Sequence, residues 1–388
     1  MRSRREGVAT YEWIRASGQK FAPLGWDGFG LGGAWVASRH VECGEEDLTP
    51  AAAPARRGRL KRADCAGPGI RRVRRGRGFS YEDDSGEKIA DEETLERIRQ
   101  LAIPPAWEEV WICPDPFGHI QATGYDEAGR KQYLYHERWQ QRQAERKFEL
   151  VREFALALPR LRRAVTADLR RQGMPRERAL ACAVRLLDLG FFRVGSEVYA
   201  EENESFGLAT VRREHVTLGR REVVFDFPAK SGQRRVQSIR DAAARRAIEA
   251  MHRRRSGPED LLAYRAGGEW VDVRSNEINE YIHEKIGEEF TAKNFRTWHG
   301  TVLAAVALAG EERPRSDAAA KRAIVRAVDH VSEALGNTPA VCRASYIDPR
   351  VLDRFRDGAT IRPAASANGR MSAKQRLKIE REVIELVS

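Results

Sequence analysis

The chain has 388 residues, 41% hydrophobic and 32% charged, enough to bury a sizeable core in roughly two or three domains. Lys and Arg number 68 against 57 Asp and Glu, a net charge of +11 and a pI near 9.6, which favours a polyanionic partner, usually nucleic acid, over a merely solvated basic surface. Five scattered cysteines (Cys43, Cys65, Cys113, Cys182, Cys342) without a CxxC argue against a zinc site or disulfide framework and suit a reducing cytoplasm. A basic N-terminus with no apolar core and no run approaching ~18 uncharged apolar residues predict neither a signal peptide nor a membrane span.

Residues 1–67 are rich in Gly, Ala and Arg, and AAAPARRGRLKRA has neither a helical nor a strand period; they read as a disordered basic arm or as an upstream extension foreign to the rest of the chain. GFGLGG (Gly28 to Gly33) satisfies GxGxxG, but no strand precedes it and no helix follows, so a dinucleotide-binding turn is not expected. From Arg56 to Arg77 there are ten basic residues and one acid, Asp64, either an electrostatic arm or a solvated linker.

Residues 68–143 read as a small β-rich domain. DEETLERIRQLAIPPAW is a short amphipathic helix with Asp91 as its cap and Pro104-Pro105 as its stop. VWICPD is strand-like, and HIQATGYDEAGRKQYLYH is a hairpin around DEAG.

From about 144 the period becomes helical and persists to 357. QAERKFELVREFALALP, LRRAVTADLRRQG and PRERALACAVRLLDLG come first, the last stopping at Gly190. HVTL, REVVFDF and RRVQSI interrupt as three short strands, with AKSGQ as the second turn. Helices resume and reach two short ones started by Thr338-Pro339 and Asp348-Pro349, each a capping residue followed by Pro at the first helical position. Tyr346 sits at the break between them. Residues 358–388 are a linker and a terminal amphipathic helix.

No HExxH, paired Cys-His spacing, EF-hand loop, Walker A motif or GxSxG elbow is present. What remains is basic residues at element edges and one tyrosine at a helix break. Singly, each has an ordinary explanation. Arg193, after the helix ending at Gly190, can pair with the helix macrodipole. Lys230 can serve solubility in its turn. Asn337 and Thr338 can simply cap a helix. Arg296, at the start of an apolar helix, opposes the dipole and so wants an anion, a carboxylate or a phosphate. Together they suit attack by a tyrosine on a phosphodiester. Fixed cationic donors stabilise the equatorial oxygens and a proton donor serves the leaving 5′-oxygen.

Residues 193–216, RVGSEVYAEENESFGLATVRREHV, resemble the R-x-G-x-x-x-Y-x-x-E-N-E-x-x-G-L-x-T-x-x-x-x-H pattern of type IB DNA topoisomerases, in the compact poxvirus-like and bacterial branch. PAKSGQ resembles that family's lysine hairpin, KNFRTWHGT its K-x-x-R helix start, and LGNTPAVCRASY the L-G-H-T-P segment ending in its nucleophile. The resemblance runs from about Gly69 to Arg356. It implies an α+β fold: a small N-terminal β-rich domain, then a mainly helical catalytic domain of the topoisomerase IB and tyrosine recombinase type, with a small three-stranded sheet. It implies that Arg193 and Arg296 are catalytic arginines, Lys230 the general acid and Tyr346 the nucleophile. Tyr199 and Lys293 would be supporting DNA contacts, and HIQATGY would bring Gln121 and Tyr125 to the DNA groove. Asn337, nine residues before Tyr346 (346 − 337 = 9), stands where the pattern commonly has histidine. An amide donates the same bond but stays neutral. His299 does not match that slot and reads as a helix-surface or core histidine.

The implied activity is relaxation of supercoiled duplex DNA through a 3′-phosphotyrosyl intermediate, without ATP, metal or other cofactor. The protein would act as a monomeric clamp in the cytoplasm, on the bacterial nucleoid. A tyrosine site-specific recombinase shares the chemistry but lacks the ENE block and the β-rich module. A non-catalytic DNA-binding protein would need no Tyr346.

Overall fold

The computed structural model describes residues 58–195, 197, 200, 204–362 and 373–388. GFGLGG, Cys43, most of the basic arm and Tyr199 lie outside the described residues. The chain divides into two compact units at Lys147/Phe148, inside one long helix.

The first unit is a five-stranded sheet of order β2-β1-β3-β4-β5, antiparallel throughout. Its strands are β1 (Ile70–Arg75), β2 (Gly78–Glu82), β3 (Glu108–Ile112), β4 (Ile120–Tyr125) and β5 (Lys131–Tyr135). Helix α1 (Glu92–Gln100) starts where expected, its Asp91 carboxylate accepting from the Thr94 N–H at 2.9 Å. Ile98 from this helix completes a core of Ile70, Val110, Ile112 and Ala122. The β1–β2 hairpin is not evident in the sequence, because the charges of IRRVRR hide its alternation. Arg72 takes an inner position: its guanidinium lies 4.2 Å over the Phe79 ring and donates to the carbonyls of Pro104 (3.1 Å) and Trp107 (2.6 Å). Residues just before β1 also pair with this unit, the Lys61 N–H bonding the Phe117 carbonyl at 2.9 Å.

The second unit is mostly helical around a three-stranded sheet. Helix α2 (Glu137–Asp168) is one 32-residue helix running through Pro159, not two separate segments. Leu158, Leu161 and Val165 continue its buried face across the proline, and that burial outweighs one lost backbone bond. Helix α3 (Arg176–Leu189) is almost wholly buried. The sheet β6 (Val216–Leu218), β7 (Val223–Ala229), β8 (Gln233–Ile239) is antiparallel in that order. After it come α4 (Ala242–His252), the hairpin β9 (Ala263–Ala266) and β10 (Glu269–Asp272), and α5 (Ser275–Ile286). Helices α6 (Ala292–Ala309), α7 (Asp317–Leu335), α8 (Pro339–Ser345), α9 (Pro349–Arg356) and α10 (Ala373–Leu386) complete it. Helix α6 is apolar on nearly every side and runs through the core. No helix among the described residues is long and apolar enough to cross a membrane.

Candidate active site

Arg193 follows the stop at Gly190. Phe192 is buried against Phe225, ring centroids 5.0 Å apart, and the Leu208 N–H bonds the Arg193 carbonyl at 2.8 Å. The two glycines of the motif explain each other. A Cβ on Gly207 would lie 2.2 Å from the Gly195 Cα, so only glycine allows the two backbones to touch there.

Arg296 lies one turn into α6 and is 5% exposed. Its Nη1 donates to the Phe191 carbonyl, and its Nη2 to the Leu335 carbonyl at 2.8 Å and Asn337 Oδ1 at 2.6 Å. Arg193 Nη2 donates to the same Oδ1 at 3.0 Å and to the Gly336 carbonyl at 2.8 Å. Two arginine donors identify this end of the Asn337 amide as oxygen, which leaves its NH₂ as the end with hydrogens to give. Asn337 is placed by the left-handed Gly336 (φ 61°) that ends α7.

A third guanidinium joins them. Arg235, on β8, donates through Nη2 to the Ala334 carbonyl and through Nη1 to that of Glu333 at 3.4 Å. The carbonyls of four consecutive residues, Glu333 to Gly336, therefore each accept from an arginine. These are the orphan acceptors of a helix C-terminus, whose dipole carries roughly half a negative charge. Among the described residues, every hydrogen-bond partner of the three arginines is neutral. Glu333 lines the adjoining cleft but makes no ion pair with them among the described residues. Burial, then the charge of Arg193, pushes the Arg296 pKa down to about 10, opposed by Tyr346. Arg235 is lowered by the same two causes.

The Tyr346 ring lies 5.2 Å from the Arg296 guanidinium. Its backbone ends α8 and packs on α6: a Cβ on Gly300 would lie 2.4 Å from the Tyr346 carbonyl oxygen. Two residues on, Asp348 caps α9 and its N–H donates to Thr301 Oγ1, 3.1 Å away. Tyr346 is thus held from both sides while its side chain stays half-buried.

Lys230 is exposed on a single 3₁₀ turn, Lys230–Gly232, between β7 and β8. Its neighbour Ala229 lines a cleft of about 380 Å³ together with Arg193, Arg235, Gly336 and Asn337. Lys293 is exposed in the first turn of α6. The structure therefore brings Arg193, Arg296, Asn337 and Tyr346 into contact and sets Lys230 beside their cleft.

Gln121, expected at a DNA groove, is 4% exposed. Its oxygen accepts from Arg97 at 2.9 Å and its nitrogen donates to the Gly118 carbonyl at 2.7 Å, so the amide holds the 113–118 loop rather than presenting itself to a ligand. Tyr125 is half-buried with the Lys131 ammonium 5.9 Å from its ring. Sequence reasoning overlooked Tyr133 and Tyr135, exposed and stacked 6.1 Å apart on β5, and Arg235. The strand alternation of QYLY and RRVQSI was the available signal.

His299 is a core histidine, 8% exposed. Burial, then the charge of Arg376, pushes its pKa down to about 3. No group of three or more His, Cys, Asp or Glu among the described residues is placed to hold a metal.

A family model described as the catalytic core of eukaryotic DNA topoisomerase I matches residues 136–362. One described as the N-terminal domain of bacterial DNA topoisomerase IB matches residues 78–126. The chain is 32% identical over 298 residues to the DNA topoisomerase 1B of Acanthamoeba polyphaga mimivirus, covering 74% of this chain and 88% of that one. It is 21% identical to the DNA topoisomerase 1B of Vaccinia virus (strain Copenhagen), covering 69% and 83%. The DNA topoisomerase 1 of Candidozyma auris is 28% identical over 158 residues, 40% of this chain and 20% of that one. An N-terminal antiparallel sheet, a helical unit with a small sheet and these matches place the chain in the type IB DNA topoisomerase family.

Proposed function

We propose that the protein relaxes supercoiled duplex DNA as a monomer, by transient cleavage of one strand. The Tyr346 oxygen attacks a backbone phosphorus, forming a 3′-phosphotyrosyl bond as the bond to the 5′-oxygen breaks. Arg193, Arg296 and the Asn337 NH₂ stabilise the charge that grows on the non-bridging oxygens. Lys230 gives a proton to the departing 5′-oxygen. The freed strand rotates, and the 5′-hydroxyl then attacks the tyrosyl ester and restores the phosphodiester. Both steps exchange one phosphoester for another, so no nucleotide hydrolysis is needed to reseal the strand.

One observation carries this reading. The guanidinium groups of Arg193 and Arg296, the latter against a half-buried tyrosine, are bonded among the described residues only to neutral oxygens, so the half negative charge of a helix end faces about two positive charges before Arg235 is counted. That surplus suits a phosphodiester. The net charge of +11 supports a DNA partner bound largely through phosphates, with affinity falling steeply as salt rises. Lys293, Tyr125 and the exposed Tyr133 and Tyr135 are the proposed further contacts, and Tyr199 keeps that role from its motif.

The test is relaxation of a supercoiled plasmid in EDTA without ATP, with SDS added to trap protein–DNA adducts. Relaxation and a covalent adduct on the 3′ side of the break are expected, and both should vanish in Tyr346→Phe. Failure of the wild-type protein under these conditions, or relaxation by the phenylalanine variant, overturns the proposal.

A further inference from the structure

We infer that Arg235 is a positioning residue for proton transfer to the leaving oxygen: it locks the hairpin that carries Lys230 onto the helix end that carries Asn337. This rests on the reading of Lys230 as the proton donor.

The argument starts from two adjacent arginines with different fates. Arg234 turns outward and pairs with Asp226 on the neighbouring strand of its own hairpin, Nε to Oδ1 at 2.6 Å. Arg235 points to the opposite face, as strand alternation requires, and leaves the hairpin altogether. Its guanidinium spans to the carbonyls of Glu333 and Ala334, about a hundred residues away in sequence. It also lies against the turn that follows, since a Cβ on Gly336 would come within 3.3 Å of its Nη1. The next residue, Asn337, is the one gripped by Arg193 and Arg296.

The hairpin transmits this anchor. Register is continuous from Phe227↔Arg235 through Pro228↔Arg234 to Ala229↔Gln233, and Lys230 is the next residue after the last pair. An exposed lysine on a turn has several rotatable bonds, and its reach to one oxygen depends on where the turn sits. Arg235 ties that turn to the frame that holds the phosphate-binding groups. A plain helix cap would satisfy the same two carbonyls from any direction. This one comes from the hairpin, two strand positions beyond the last pair before the turn.

The experiment separates proton donation from charge stabilisation. Break sites are first mapped with wild-type protein. Duplexes are then made with either the normal 5′-oxygen or a 5′-bridging sulfur at one mapped phosphate. A sulfur leaving group departs as a thiolate and has little need of a proton, because its conjugate acid is far stronger than an alcohol. On the oxygen substrate Arg235→Met should slow cleavage on the order of 10–10²-fold, part of the roughly 10²–10⁴-fold that a placed proton donor contributes. On the sulfur substrate its rate should return to within a few fold of wild type. Lys230→Met should behave likewise, and adding Arg235→Met to it should cost little more. Arg296→Met should remain slow on both substrates.

Equal slowing of Arg235→Met on the two substrates, or none on the oxygen substrate, overturns the inference. If Arg235→Met does not fold, Arg235→Lys is run on the same pair of substrates and judged by the same ratio. If the wild-type protein forms no adduct with any DNA, it is the proposed function that fails.

Discussion

Two clusters of buried and half-buried arginines in the helical unit use the same side chain with opposite electrostatics. Near the C-terminus, Arg162 bonds Asp188 (2.8 Å) and Glu380 (2.6 Å), and Arg376 bonds the same two carboxylates at 2.7 and 2.8 Å. Two cations meet two anions, and His299 stands beside them, neutral, 3.4 Å from Arg376. Burial alone would raise the Asp188 carboxyl, but Arg162 and Arg376 overcome it and hold that group well below the usual carboxylate range. At the other cluster, among the described residues, Arg193, Arg296 and Arg235 have only carbonyls and one amide oxygen as partners. A protein that needed only packing there would do better with apolar side chains or a carboxylate. The compensated cluster docks the terminal helix. The uncompensated one is the cluster proposed to receive a phosphodiester.

This contrast can be broken from either side. The largest expected effect is on stability. Arg162→Met leaves Asp188 and Glu380 with one cation between them, and should lower the unfolding free energy by about 3–5 kcal/mol, measured by chemical denaturation. Cleavage by the protein that remains folded should be far less affected.

Arg296→Met should reverse that pattern. Removing one donor to a developing oxyanion costs about 10²–10³ in rate, read as the single-turnover rate of adduct formation. Stability should fall much less than in Arg162→Met, because a surplus charge is removed along with its bonds. Equal losses of stability in the two variants would erase the distinction between the clusters.

A smaller effect concerns pH. His299 is held neutral with a pKa of about 3, against about 6.5 when unfolded. The unfolded chain therefore gains a proton that the folded one refuses, so this contribution is full above pH 6.5 and is lost progressively as pH falls towards 3. At pH 5 the loss is about 2 kcal/mol. His299→Gln should be less acid-sensitive than wild type by that amount, with other histidines cancelling in the difference.

The smallest effect sharpens the comparison directly. Sulfate or phosphate at matched ionic strength should stabilise the wild-type protein relative to chloride, by about 1 kcal/mol at several times the dissociation constant. The increment should disappear in Arg193→Met and persist in Arg162→Met. An increment of the same size in both would mean that the anions act on the whole surface.

Local signals were legible. Asp91, Thr338-Pro339 and Asp348-Pro349 start helices because capping depends on residues a few positions apart. The 120–135 hairpin was legible for the same reason. The β1 strand was not, because four arginines in six residues disguise an alternation in which Arg72 spends its charge on carbonyls 31 and more residues away. Gln121 was misleading because an amide serves equally well at a groove or in a core, and only burial distinguishes the two.

The sequence by itself determined the capped helix starts, the hairpin at 120–135, the three strands around Lys230 and, through its motif spacing, the family and the candidate residues Arg193, Lys230, Arg296, Asn337 and Tyr346. Only the tertiary structure decided how they are joined. Arg193 and Asn337 lie 144 residues apart in sequence and 3.0 Å apart in space, and nothing local specifies that the Asn337 oxygen faces two arginines while its NH₂ faces away. Whether a buried arginine is compensated depends on which backbone end or carboxylate the rest of the chain brings to it. That is a property of long-range packing, and here it distinguishes the cluster that holds the fold from the one proposed to hold DNA.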